Sequence, residues 1–119
     1  MITLPALSER EVTRQVIDFC KSERWLCIRL QSGTVRGVTQ GTYMRLGQPG
    51  LPDWIIVREL EYCFVELKAP GKPLRPAQKQ WFEFAAREGY PAIVADGLGS
   101  FLRQYRDRWP AAQAAREER

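Results

Sequence analysis

The chain has 119 residues, 45% of them apolar, with 18 Lys+Arg against 14 Asp+Glu, three Cys and no His. Without imidazole there is no Ser-His-Asp triad, no HExxH zinc site and no ββα zinc finger, so any catalysis must rest on carboxylates and lysines. The length suits one ordinary domain, and the net charge of +4 admits an anionic partner without demanding one.

No run of about 18 apolar residues occurs, and Met1 to Leu7 lacks the basic-then-apolar build of a leader; an intracellular, cytoplasmic protein with no membrane partner is expected. Cys20, Cys27 and Cys63 are odd in number and form no C-x-x-C, so buried free thiols are expected rather than disulfides or a zinc site.

Ser8-Glu9-Arg10-Glu11 has the S-x-x-E form of a capping box, and Val12, Val16, Phe19 and Cys20 follow at helical spacing, predicting a helix over 9–23. Trp25 to Leu30 alternates Leu26, Ile28 and Leu30 with Trp25, Cys27 and Arg29, which suits a strand with at least one buried face. From Gln31 to Gly50 five glycines lie among Ser, Thr and Arg, so a long loop is expected, with room for a short ribbon around Thr42 to Leu46.

Asp53 to Arg58 and Tyr62 to Lys68 are apolar, β-rich runs separated by a short connection, and therefore predict an antiparallel hairpin. Prolines and Gly71 hold off regular structure until a second helix starts near Pro76, a residue tolerated at the first helical position, and stops at Gly89. A buried strand over Pro91 to Ala95 and a third helix over Gly97 to Trp109 complete the order αβββαβα. The expectation is an α/β domain over 1–109, one mixed sheet flanked by helices, with 110–119 as a frayed tail.

Charge is unevenly spread. Arg24 to Pro52 contains Arg24, Arg29, Arg36 and Arg45, and Leu67 to Phe82 contains Lys68, Lys72, Arg75 and Lys79, with no acid in either stretch. Asp53 and Glu66 stand beside them. If the hairpin turn is centred between Glu59 and Leu60, paired numbers sum to 119 and Asp53 lies opposite Glu66. Directly opposed β carbons lie about 4.5–5.5 Å apart, close enough for both carboxylates to reach one small cation. Lys68 falls on the same face. A one-residue slip would send Asp53 to the other side. Without a cation the two acids repel, so the pattern suits bound Mg²⁺ or Mn²⁺, and a metal beside a lysine between basic stretches is a device for phosphodiester hydrolysis.

Gly50-Leu51-Pro52-Asp53 followed by Glu66-Leu67-Lys68 resembles the PD-(D/E)xK nuclease signature, and Gln78 in the basic second helix narrows the likeness to the VRR-NUC (virus-type replication-repair nuclease) domain in stand-alone form. The resemblance spans roughly residues 9 to 105 and implies a restriction-endonuclease-like core. It implies Asp53 and Glu66 as metal ligands with the Leu67 carbonyl as a third, Lys68 as the catalytic lysine and Gln78 as a supporting residue. Glu11 resembles the first-helix glutamate that adds a metal contact in such nucleases, but it is also the third helical residue of the Ser8 box, and both roles stay open.

Arg36, Arg45, Lys72, Arg75 and Lys79 are the candidate phosphate contacts. Trp54 and Trp81 lie in apolar patterns that suit core packing better than base stacking. The resemblance implies a metal-dependent DNA endonuclease for branched DNA such as Holliday junctions, with no organic cofactor and with a phage or prophage origin by analogy. A homodimer is expected, since two symmetric cuts need two sites. The alternatives are a nuclease for flaps, ends or nicked duplex, and a non-catalytic DNA-binding domain with the same fold.

Overall fold

The computed structural model describes residues 6–30, 33–36, 43–46 and 49–108, with 33–36, 43–46, 107 and 108 described by backbone alone. Residues 109–119, including the tail expected to fray, lie outside the described residues.

The first helix, α1, spans Glu9–Ser22. The Ser8 hydroxyl oxygen accepts the Glu11 N–H at 3.1 Å and its O–H donates to the Glu11 carboxylate at 3.0 Å, so the capping box forms as the S-x-x-E pattern predicts. Its apolar stripe, Val12, Val16, Ile17 and Cys20, is buried. The chain then turns through Arg24, whose φ is 62°, into strand β1, Leu26–Arg29.

The glycine-rich segment contains more order than a loop. Strands β2 (Gly33–Arg36) and β3 (Tyr43–Leu46) pair antiparallel as a separate two-stranded ribbon, with Arg36 opposite Tyr43 and Arg45 opposite Thr34. The alternation of Thr, Val, Tyr and Met between glycines carries this ribbon, while the glycines themselves mask it at the level of composition.

Strands β4 (Trp54–Arg58) and β5 (Glu61–Leu67) form the expected hairpin. Trp54 faces Val65 and Arg58 faces Glu61, so the paired numbers sum to 119. Glu59 makes the turn at φ 51°, a left-handed conformation costing a non-glycine residue about 1–2 kcal/mol. Helix α2 (Pro76–Glu88) carries proline in its first turn and ends on Gly89 at φ 79°. It is the crossover between β5 and the parallel strand β6 (Ala92–Ala95), and helix α3 (Leu98–Arg108) follows.

The main sheet runs β1-β4-β5-β6, antiparallel except for β5-β6. On one face α1 and α3 pack Val12, Val16, Ile17, Phe101 and Tyr105 against Ile56, Cys63, Val65, Leu67 and Ile93. Burying each such side chain contributes about 1.5–3 kcal/mol, so this face holds most of the stability. On the other face α2 lays Trp81 and Ala85 over Phe64 and Ala92. Trp81 is therefore core, and Trp54 packs at the edge of the larger cluster. All three cysteines are free, Cys20 and Cys63 buried and Cys27 half-buried; burial pushes the Cys20 thiol far above its ordinary range.

Strand β1 has one buried face. Cys27 packs inward while Leu26 and Ile28 stay exposed, because α2 sits over β5 and β6 and does not extend across β1 and β4. Among the described residues no helix is long and apolar enough to cross a membrane.

Candidate active site

The strand register that buries the β4–β5 core also puts polar residues together at the end of the sheet. Cys63, Val65 and Leu67 point to the α1/α3 face, so Phe64 and Glu66 point to the α2 face. Asp53 immediately precedes β4. Its N–H donates to the Glu66 Oε2 at 3.1 Å, and its carbonyl accepts the Leu30 N–H at 2.7 Å. Asp53 is thus held from both sides by its backbone, which leaves its carboxylate available beside Glu66.

Glu66 is only 2% exposed. Its Oε1 accepts the Gln78 side-chain N–H at 2.9 Å and lies 3.6 Å from the Lys68 ammonium. Burial raises its carboxyl above the ordinary range, and the Asp53 charge raises it further; the Asp53 N–H and Lys68 act in the opposite direction. A buried acid kept beside a second acid is a liability to the fold, offset in part by three donors. Lys68 is itself buried to 9% exposure, its ammonium turned toward Glu66.

Gln78 is fixed at both ends of its amide. Its oxygen accepts the Arg75 N–H at 2.8 Å at the start of α2, and its nitrogen donates to Glu66. The same helix end is locked to the Asp53 turn by Gly50. At φ 80°, a Cβ on Gly50 would overlap the Ala77 carbonyl and come within 2.9 Å of the Gln78 nitrogen. The backbone of one arm of the site therefore touches the backbone of the other.

The Leu67 carbonyl has an identifiable reason to stay available. The Phe64 and Lys68 N–H groups donate to Pro91 and Ala95 on the β6 side, so the odd residues of β5 point their backbone polar groups toward β4. Continuing the register, the residue facing Leu67 is Pro52, which has no N–H to give.

In the first helix the capping role of Glu11 is formed. Glu11 is exposed, bonded to Ser8, and about 200° around the helix from Glu9, away from the buried stripe. It caps the helix and does not join Asp53 and Glu66. Glu9 leads the stripe by three, seven and eleven residues to Val12, Val16 and Cys20, and its charge adds to the rise of the Glu66 carboxyl. That spacing is legible in the sequence, where the resemblance pointed to Glu11 and the capping box gave the same residue the structural role that forms here.

Lys72, Arg75 and Lys79 are exposed around the start of α2. Arg36 lies in β2 and Arg45 in β3, and their side chains are outside the described residues. Among the described residues no three acids or thiols converge into a ready-made cage. Two carboxylates and a carbonyl are instead the sparse oxygen set that suits Mg²⁺ or Mn²⁺, since Mg²⁺ keeps several waters and takes further ligands from phosphate.

The sequence pattern of the VRR-NUC domain matches residues 32–98, more than half of the chain. A solved structure described as a VRR_NUC domain protein superposes with a TM-score of 0.57 over 87% of this chain and 89% of its own, at 24% identity. No curated protein matches the chain significantly. The matched segment contains Asp53, Glu66, Lys68 and Gln78 and begins after α1, so it aligns neither Glu9 nor Glu11.

Proposed function

The chain belongs to the VRR-NUC domain family, and from that premise we propose that it is a divalent-metal-dependent DNA endonuclease acting on branched DNA such as four-way junctions. Its α/β core is that of a nuclease fold. The observation that carries the reading is the row of Asp53, Glu66 and Lys68 on one end of the sheet, with a buried carboxylate that the fold keeps despite its cost.

Mg²⁺ or Mn²⁺ bound there would supply Lewis-acid activation of the scissile phosphate and of the attacking water. Asp53, Glu66 and the Leu67 carbonyl are the residues that would hold it, and the charge of Glu9 on α1 acts on Glu66. Gln78 keeps the Glu66 carboxylate in one orientation, leaving the direction of its remaining lone pairs fixed. The Lys68 ammonium orients the attacking water and steadies charge on the phosphate as its phosphorus becomes five-coordinate. Lys72, Arg75 and Lys79, with Arg36 and Arg45 from the ribbon, supply phosphate contacts that position the backbone without reading bases.

The test is cleavage of four-way junction, flap and plain duplex DNA in Mn²⁺ by wild type and Asp53→Asn, alongside thermal unfolding with and without Mn²⁺. Wild type is expected to cut the junction preferentially and to gain about 1.4 kcal/mol of stability at a metal concentration tenfold above its dissociation constant. The Asn variant should lose both effects. Preference for linear ends would replace the junction reading with the end- or flap-processing one, and a wild type inert in both assays would leave a non-catalytic binding domain.

The two glutamates of α1 separate cleanly in the same assays. Glu9→Gln is expected to weaken the Mn²⁺ response while leaving metal-free stability nearly unchanged. Glu11→Gln should leave the Mn²⁺ response intact, and any effect should be a loss of about 0.5 kcal/mol or less from the weakened cap. Equal metal responses in the two variants would remove Glu9 from the site.

A further inference from the structure

Cations fix the register and direction of a DNA strand through its phosphates, and contacts on both sides of a cut constrain direction better than contacts on one. Helix α2 lies on the Phe64 face of the main sheet, and Lys72, Arg75 and Lys79 stand around its start. They therefore approach the acid row from that face.

The opposite face carries a cation at the same end of the sheet. In β1, Cys27 packs into the α1/α3 core, and Arg29, two residues on, points to that same face. Arg29 pairs with Trp54 across β1 and β4, and the next residue, Leu30, donates its N–H to the Asp53 carbonyl at 2.7 Å. Arg29 thus stands one strand spacing, about 4.8 Å, from the residue that follows Asp53.

Its side chain is held in an uncommon way for an exposed arginine. The guanidinium lies over the Trp54 ring, 5.9 Å from the centroid. Trp54 is half-buried against the α1/α3 cluster, so packing fixes the ring beneath the cation. Contact with a fixed ring restrains a long side chain while leaving its N–H donors open to solvent. Among the described residues no acceptor bonds this guanidinium and no carboxylate pairs with it. The stretch from Arg24 to Pro52 contains no acid to neutralise it. Packing alone does not account for such a residue, since leucine or methionine would cover Trp54 without an unneutralised charge. An exposed, oriented cation beside two carboxylates is arranged for an anion arriving from solvent.

We propose that Arg29, laid on Trp54, binds a backbone phosphate of the DNA on the α1 side of the acid row, opposite the cations of α2. The cut strand then crosses the end of the sheet between the two sets. This inference rests on the nuclease reading of Asp53, Glu66 and Lys68 and adds the path of the strand through that site. The planar fork of a guanidinium gives two parallel N–H donors to two phosphate oxygens, which fixes direction as a lone ammonium does not. The contact is to phosphate, so it is independent of base sequence. Arg29 touches a phosphate beside the scissile one and takes no part in bond breaking; Trp54 is its support and not a platform for a base.

The experiment measures binding of a fluorescent four-way junction in Ca²⁺ at several salt concentrations, and its cleavage in Mn²⁺, for wild type, Arg29→Ala, Arg29→Lys and Arg24→Ala. Arg24 is an exposed arginine of the same basic stretch, beyond the far end of β1, and controls for the loss of one charge. Arg29→Ala is expected to weaken binding about tenfold at about 0.1 M salt. It should also flatten the slope of log affinity against log salt by about 0.9, the equivalent of one phosphate. Its KM should rise about tenfold with kcat within about twofold of wild type, the signature of lost uniform binding, whereas loss of Lys68 lowers kcat. Arg29→Lys should keep the salt slope and lose about threefold in affinity, because an ammonium lacks the ring-fixed fork. Arg24→Ala should change affinity by less than about twofold.

Arg29 is exposed, so the unfolding midpoint and the Mn²⁺ stabilisation of Arg29→Ala should match wild type. Unchanged affinity and slope in Arg29→Ala, or an equal loss in Arg24→Ala, would overturn the proposal. A wild type that binds and cuts DNA no better than Arg29→Ala refutes this contact and leaves the nuclease reading standing. A wild type that neither binds nor cuts removes both.

Discussion

Replacing Lys68 with alanine is expected to lower the rate of junction cleavage by about 10³-fold while the protein still folds and still responds to Mn²⁺. Removing one preorganised charge or donor from a phosphoryl or acyl transition state typically costs 10²–10³-fold, and Lys68 is the only described cation with its ammonium paired to Glu66. The substitution has a second consequence with a definite sign. Lys68 draws the Glu66 carboxyl down against the burial and the Asp53 charge that raise it. Without it the carboxyl rises further, so the pH at which the metal-dependent stabilisation appears should move upward in Lys68→Ala. Asp53→Asn removes a raising influence and should let Glu66 ionise at lower pH. Arginine at 68 is not expected to restore the rate, because a planar guanidinium does not fit the space of a buried ammonium with the same direction of charge. Cleavage by Lys68→Ala within tenfold of wild type would remove this residue from the chemistry.

Gly50→Ala is expected to be the most damaging small substitution outside the acids, lowering stability by about 3 kcal/mol or more. Two costs combine at this position. The left-handed φ of 80° disfavours any side chain, and the added Cβ would meet main-chain atoms of Ala77 and Gln78. Backbone cannot rotate aside as a side chain can, so the start of α2 must move away from the Asp53 turn and take Gln78 with it. Glu66 then loses the amide that orients it, and cleavage should fall together with the unfolding midpoint. Gly71 supplies the control: its φ is 82°, but a Cβ there meets nothing within 4 Å. Gly71→Ala should therefore cost about 1–2 kcal/mol from the conformation alone. Equal unfolding midpoints for the two variants would show that the contact with Ala77 is immaterial.

The residues differ in how openly they announce themselves. Asp53, Glu66 and Lys68 were legible because they sit on a hairpin whose two-residue turn sets the pairing by arithmetic, and the observed register has the same sum. The helix boundaries near Ser8, Pro76 and Gly89 were legible for a similar reason, since caps and turn residues act on backbone within a few positions. The ribbon of β2 and β3 was only half legible, because its glycines interrupt the alternation that marks strands. Glu11 was legible as a cap but not as a ligand, because one residue satisfied a local motif and a family pattern at once, while the charge that acts on Glu66 from α1 is that of Glu9.

What the sequence determined by itself is therefore what depends on short separations along the chain: the helices and their caps, the hairpin register, and with it the placing of Asp53, Glu66 and Lys68 at one end of the sheet. Only the tertiary structure decided which groups meet across longer separations. It closed the Gln78 amide between Arg75 and Glu66, set Gly50 against α2, and decided which face of β1 is covered, leaving Leu26 and Ile28 exposed. The physical reason is that periodicity records which side of a strand is apolar, whereas the width and placement of the layer packed over it depend on helices distant in sequence. Burial of Glu66, and with it the raised carboxyl beside Asp53, is a product of that same packing.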